Sequence, residues 1–251
     1  MWFSLDGDLV AKGERLASRG DAGSMTTSFK GTAMSERTDD APMHHGAPAH
    51  ALERLVFFSD AVFAISITLL VIELKFPHLP WRASDHDFLQ ALAQMIPQFI
   101  GFIISFLVVG AFWSGHHRAF ACARHWSPTL LMPNLFLLLS VAGMPFFTAL
   151  VSDYYGRLVP SAAYCSWLMF VAVCNLWNNN MAVSPPVAAD ELDPEYAAMI
   201  RRRGWAVLLG TTTALALAFV NPWLGQPGLM TMPVWRKVLD ALHKCGVIQK
   251  V

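Results

Sequence analysis

Five stretches of this chain are apolar for long enough to cross a bilayer as helices: about Leu52 to Leu74, Ile96 to Trp113, Leu130 to Val151, Leu158 to Trp177 and Trp205 to Val220. A spanning helix needs about 20 largely apolar residues to cover roughly 30 Å of hydrocarbon. Of the 251 residues, 55% are hydrophobic and 14% charged, against roughly 45–50% and 25% in a soluble domain. The expected class is therefore all-α, a polytopic membrane helix bundle with five clear transmembrane helices and a truncated or degenerate sixth. Lysine plus arginine and aspartate plus glutamate both count 18, so no excess charge points to nucleic acid as a partner. The partner that composition implies is the lipid bilayer.

The candidate sixth span is where the pattern fails. Trp223 to Trp235 is interrupted by Gln226, Pro227 and Pro233 and then meets Arg236-Lys237, too short a run to cross. The remaining residues read as at most an interfacial helix with Val234, Val238, Leu242 and Cys245 on one side. The chain thus divides into a disordered N-terminal tail over 1–50, a transmembrane domain over 51–225 and a C-terminal, interfacial tail over 226–251. The N-terminal tail carries His44, His45 and His50 without any sustained hydrophobic period. Met34 opens a polar stretch just ahead of the first span, which makes it a candidate translation start. The basic residues Arg118, Arg124, Arg201, Arg202 and Arg203 fall in the second and fourth loops, against Lys75, Arg82 and Arg157 in the first and third. That bias puts the N-terminus in the cytoplasm. Five spans then leave Arg236, Lys237, Lys244 and Lys250 outside, in conflict with the same rule, as though a sixth span had been lost.

The first span opens with charge. Arg54 and Asp60 stand at the start of an otherwise apolar helix, where ionised groups are costly. At 100° per residue, Arg54, Phe58, Ala61, Ile65, Thr68, Leu69 and Ile72 gather on one stripe, with Thr68 its only hydroxyl. Asp60 falls to one side. Ser59, Ser66 and Glu73 recur every seven residues as a second, polar seam suited to packing against another helix.

Arg54-x-x-x-Phe58-Ser59-Asp60, followed by Ala-Val-Phe-Ala-Ile-Ser-Ile-Thr-Leu-Leu-Val, resembles the signature first helix of the transmembrane protein 175 family. Phe112-Trp113-x-x-His116-His117-Arg118-x-Phe120 at the end of the second span, and Asn134 with Met144-Pro145-Phe146 in the third, are similar to that family in the same order. The resemblance covers about Glu53 to Pro222. It implies a bacterial inner-membrane channel for potassium and other monovalent cations, a homotetramer in which each subunit donates its first helix to a central pore. The family's constriction maps onto Ile65, Leu69 and Ile72, positions that already share the apolar stripe. No Thr-Val-Gly-Tyr-Gly filter is present, so width and polar groups such as Thr68 would set selectivity.

Without the flanking motif, Ile65, Leu69 and Ile72 read as ordinary lipid-facing or packing residues. Arg54 reads equally as an interfacial anchor. Asp60 is expected to be structural, accepting hydrogen bonds from a histidine or tryptophan of the second helix. His116 and His117 are either that partner or a hydrated helix end. A metal site from His116, His117 and His125 lacks a closed ligand spacing, and Cys122, Cys165, Cys174 and Cys245 show no paired spacing, so no metal, cofactor or redox role is assigned. Asn175 and Asn178 to Asn180 read as a hydrated terminus. Pro97 and Pro145 are bends or hinges. Trp113, Trp126, Trp205 and Trp223 fit an aromatic belt. The spans carry no hydrolase signature, so an enzyme is not expected. A proton-coupled secondary transporter, with Asp60 as a relay, and a non-conducting relic stand as alternatives.

Overall fold

The computed structural model describes residues 47–245, with side chains from residue 50 onward. Met34, His44, His45 and Lys250, and with them residues 1–46 of the expected disordered tail, lie outside the described residues, whereas 47–50 of that stretch are helical. Helix α1 (Ala47–Leu69) runs into a 3-10 turn, Leu70–Glu73. The short helix α2 (Asp85–Gln94) precedes α3 (Ile96–Phe120), and α4 (Leu131–Ala142) with α5 (Met144–Asp153) makes one bent span. Helices α6 (Leu158–Ala182) and α7 (Pro194–Val220) come next. The chain then continues through a 3-10 turn (Pro222–Leu224), α8 (Gly225–Gly228), a second 3-10 turn (Leu229–Thr231) and α9 (Met232–Lys244). Five helical units are long and apolar enough to cross a membrane: His50–Glu73, Ile96–Phe120, Pro128–Asp153, Leu158–Ala182 and Pro194–Val220.

Each span begins or bends where side-chain chemistry dictates. In α2 the Ser84 hydroxyl accepts from the Asp87 N–H while the Ser84 N–H donates to Asp87 Oδ2 at 2.8 Å, a closed capping box. Those donations hold the Asp87 carboxyl below the usual carboxylate range. Helix α3 extends past Trp113 to Phe120, because His116, Ala119 and Phe120 are buried and so profit from continuing the helix. Helix α7 starts at Pro194 rather than near Trp205. Asp193 caps it by accepting from the Glu195 N–H at 2.9 Å, with proline in the first turn. Arg201, Arg202 and Arg203 are therefore helical, not in a loop. The third span breaks at Gly143, where Pro145 cannot donate to the ladder. Trp167 fills the break: its indole N–H donates to the Ser140 carbonyl at 2.8 Å, and a Cβ on Gly143 would lie 2.6 Å from the ring. Pro145 thus bends the span at a site packed by an aromatic ring.

After Val220 the chain does not run free of the bundle. Residues 222–244 return along the whole length of α7. At the Val220 end, the Ser161 hydroxyl donates to the Pro222 carbonyl at 2.9 Å. Farther on, a Cβ on Gly228 would sit 2.9 Å from Ala214 Cα, and the Trp235 indole donates to Thr213 Oγ1 at 3.0 Å. At the far end, Asp240 stands 3.7 Å from Arg202 and His243 lies 3.8 Å from Glu195, in the first turn of α7. Short 3-10 turns carry the backbone past Pro227 and Pro233, and glycine allows the close approach that a uniform apolar helix would not need. Val234 and Val238 are exposed, as an apolar face turned outward. Arg236, Lys237 and Lys244 consequently share one end of the bundle with Arg118 and Arg202.

Two apolar clusters hold the bundle. One runs through its middle, with Phe63, Val109, Leu137, Met144, Leu168 and Ala214. The other closes the arginine end around Leu55, Phe120, Leu130, Val187 and Ile200.

Candidate functional site

The two faces of α1 are sharply different. Leu55, Ser59, Phe63, Ser66 and Leu70 are buried against the rest of the protomer. On the other side Ile65, Leu69 and Ile72 are 58%, 40% and 64% exposed, with Arg54, Phe58 and Thr68 exposed on the same stripe. Ile72 lies past the α-helix, in the 3-10 turn. At three residues per turn, that winding sets it directly beyond Leu69. The Thr68 hydroxyl donates to the Ile65 carbonyl at 2.8 Å, leaving its oxygen lone pairs facing outward.

Two polar contacts fix which way α1 faces. The Ser59 hydroxyl donates to the Leu55 carbonyl at 2.8 Å and accepts from Asn134 Nδ2 at 2.9 Å. Asn134 Oδ1 lies 3.0 Å from His116 Nε2. Because an amide oxygen only accepts, that nitrogen carries the proton and His116 Nδ1 is the bare one. Ser59, Asn134 and His116 are all fully buried, and His116 stacks on Phe120 with centroids 4.2 Å apart. Farther out, the Trp113 indole donates to Asp60 Oδ1 at 2.9 Å. Trp113 is thus the partner of Asp60, while His117 is exposed and stacks on Trp113.

Several polar groups lie where the sequence does not point. Asn175, Asn178 and Asn179 are buried rather than hydrated, and both amide atoms of Asn178 have no partner among the described residues. Ser105 shares a hydrogen bond with Tyr164 Oη at 3.0 Å and accepts from Thr148 at 2.9 Å, tying α3, α5 and α6 together in the apolar interior. Their only sequence signal is a small hydroxyl within an apolar run. Cys122, Cys165, Cys174 and Cys245 are free thiols, and burial pushes Cys122, in the loop after α3, up to about 11. Among the described residues no three His, Cys, Asp or Glu side chains converge as a metal ion requires.

The profile described as endosomal/lysosomal potassium channel TMEM175 matches residues 54–145. A potassium channel of Chamaesiphon minutus is 30% identical over 178 residues, covering 68% of this chain and 86% of that protein. The chain belongs to the TMEM175 family. A potassium channel of Streptomyces collinus is 36% identical over 101 residues, which are 40% of this chain and 48% of that relative, so the chain spans about half of its length. The fold of the TMEM175 family is also present in three dimensions. The crystal structure of a lysosomal potassium-selective channel TMEM175 homolog from Chamaesiphon minutus superposes with a TM-score of 0.63 at 24% identity, over 75% of this chain and 97% of that one. With its long apolar helices, this TMEM175 chain is a multi-pass membrane protein.

Proposed function

We propose that the chain is a subunit of a potassium-permeable channel, not an enzyme, in which four copies of α1 enclose a pore and conduct monovalent cations passively. The exposed stripe of Ile65, Leu69 and Ile72 carries this reading. One face of α1 is committed to its own protomer and the other is free to meet symmetry mates. Four copies would stack three aliphatic rings with Thr68 beside them. An apolar neck of this kind gates by wetting, because water must enter before an ion can. Trp113–Asp60 and the Ser59–Asn134–His116 chain hold the rotation of α1, so that the rings meet on the axis. Arg54 and Phe58 extend the stripe toward the arginine end, whose basic residues favour the cytoplasmic side of a bacterial inner membrane. No cofactor or metal enters the mechanism. The relatives named as potassium channels support the same reading.

The test is ion flux from liposomes holding the purified chain, with potassium and sodium compared under an imposed gradient. Uncoupled potassium flux is expected, and Ile65→Asn or Leu69→Asn should raise it. Flux that strictly requires a proton gradient would replace the channel with a coupled carrier.

A further inference from the structure

We propose that α2 rides in the phospholipid headgroup layer at the end of the bundle opposite the arginines, with Phe88, Leu89 and Leu92 against lipid. The connection from α1 to α3 is then a membrane contact and not a free loop. This holds whether or not the subunit conducts.

Helices α2 and α3 present one continuous apolar stripe. Met95, the single residue between them, keeps helical backbone angles; its N–H donates to the Leu92 carbonyl at 3.1 Å, and its own carbonyl accepts from the Phe99 N–H at 3.0 Å. Helical phase therefore carries through from α2 into α3. At 100° per residue, Phe88, Leu89, Leu92, Ile96, Phe99 and Ile103 fall within an arc of about 100°. All six are exposed, Leu89 by 66%. Ala91 and Met95, on one flank of the stripe, are buried, so the protomer has already taken up the apolar surface it can cover. His86, Gln90 and Gln94 occupy the opposite, solvated side of α2. The short helix is thus two-faced, as a helix lying at a membrane surface must be.

Length sets the depth. From Trp113, near the arginine end of α3, back to Phe88 is about 38 Å of helix. The hydrocarbon core is about 30 Å thick and the bilayer with its headgroups about 40–45 Å. With Trp113 at one interface, Phe88, Leu89 and Leu92 come to rest in the headgroup layer of the other. Polar chemistry begins where that layer ends: Asp85 stands one turn farther out on the same stripe, and the Ser84–Asp87 capping box closes the helix there. Trp81, just before it, is wholly exposed, and an indole suits the same layer. The contact also reaches α1. The Leu74 N–H donates to the Val71 carbonyl at 3.1 Å, closing the 3-10 turn, and two residues on Phe76 stacks on Phe88 with centroids 6.1 Å apart. A helix seated in lipid is thereby joined to the end of α1 that bears Ile72.

The experiment is nitroxide accessibility in the full chain, reconstituted in vesicles of phosphatidylcholine and phosphatidylglycerol. Leu89→Cys and Gln90→Cys are labelled separately in a Cys245→Ser background, since Cys122, Cys165 and Cys174 are buried. Both positions are exposed, so neither label needs the fold to yield. Collisions with oxygen, which concentrates in the bilayer, are compared with collisions with a water-soluble nickel chelate. The ratio of oxygen to nickel collisions should be severalfold higher at Leu89 than at Gln90. Equal and free access of the nickel chelate to both positions would put α2 in water and overturn the proposal. A Leu89 label shielded from both reagents would mean that a second copy of the chain covers this face, which overturns it equally.

Discussion

The Trp113 indole reaches from α3 to Asp60 on α1 with a 2.9 Å hydrogen bond, tying a carboxylate side chain of that helix to the neighbouring span. A bond to a charged acceptor at a partly exposed site contributes about 1.5–3 kcal/mol. Its geometric effect is larger than its energy, because it limits how far α1 can rotate about its axis.

Asp60→Ala is therefore expected to lower the yield of assembled oligomer more than it changes permeation. Trp113→Phe should do the same, since it removes the donor and keeps the ring. Size-exclusion profiles in mild detergent, read beside flux per assembled particle, check this. A normal oligomer whose flux gains a proton dependence would instead make Asp60 a relay.

Asn134 presents a different case, being fully buried and joined to two partners. Asn134→Leu strands His116 Nε2–H and strips a donor from Ser59, at about 1–3 kcal/mol for each stranded group. Ser59→Ala should cost less, because its hydroxyl donates within its own helix. Heat or dodecyl-sulfate unfolding should rank Asn134→Leu below Ser59→Ala and both below the parent; the reverse order would mean that the buried chain of contacts does not anchor α1.

Gly143→Leu should destabilise the third span, since even a Cβ there meets the Trp167 ring at 2.6 Å. Overpacking of this kind costs about 1–3 kcal/mol. The double change Gly143→Leu with Trp167→Ala should recover part of the loss, measured by the same unfolding assays. No recovery would place the cost elsewhere.

The return of residues 222–244 predicts where the C-terminus emerges. A topology reporter fused after Lys244 should report the same side as one inserted at Arg124, and Gly228→Leu should weaken that result, because Ala214 backbone lies against Gly228. Reporters on opposite sides would restore the interfacial segment expected from composition.

The spans that burial drives were legible in the sequence, because apolar length alone specifies them. The stripe on α1 was legible too, from helical spacing. What apolar length cannot see is a helix that starts in polar sequence: Asp193-Pro194-Glu195 carries a start signal, yet Arg201 to Arg203 end the hydrophobic run. Nor can it see a return along α7 assembled from fragments. Gln226, Pro227 and Arg236 break every averaging window, whereas Gly225 and Gly228 hold the fragments against α7 by close approach, a property of pairs rather than of one strip of sequence. The partner of Asp60 was narrowed to a tryptophan or a histidine, since Trp113 and His116 to His117 are all donors near one helix end. Burial of Asn178 left no mark in the sequence, because an asparagine near a helix end looks alike whether wet or dry.

The 3-10 turn at the end of α1 sets a ruler. Ile65 to Leu69 is four residues of α-helix, about 6 Å of rise, and Leu69 to Ile72 is three residues of 3-10 winding, again about 6 Å. The three side chains are evenly pitched over about 12 Å. Were the last turn to rewind as α-helix, Ile72 would draw back to about 4.5 Å from Leu69 and swing about 60° around the axis. A change of hydrogen-bond register in Leu70–Glu73 alone would thus shorten the line of exposed side chains and turn its outermost member aside, with no movement of the helix that bears it.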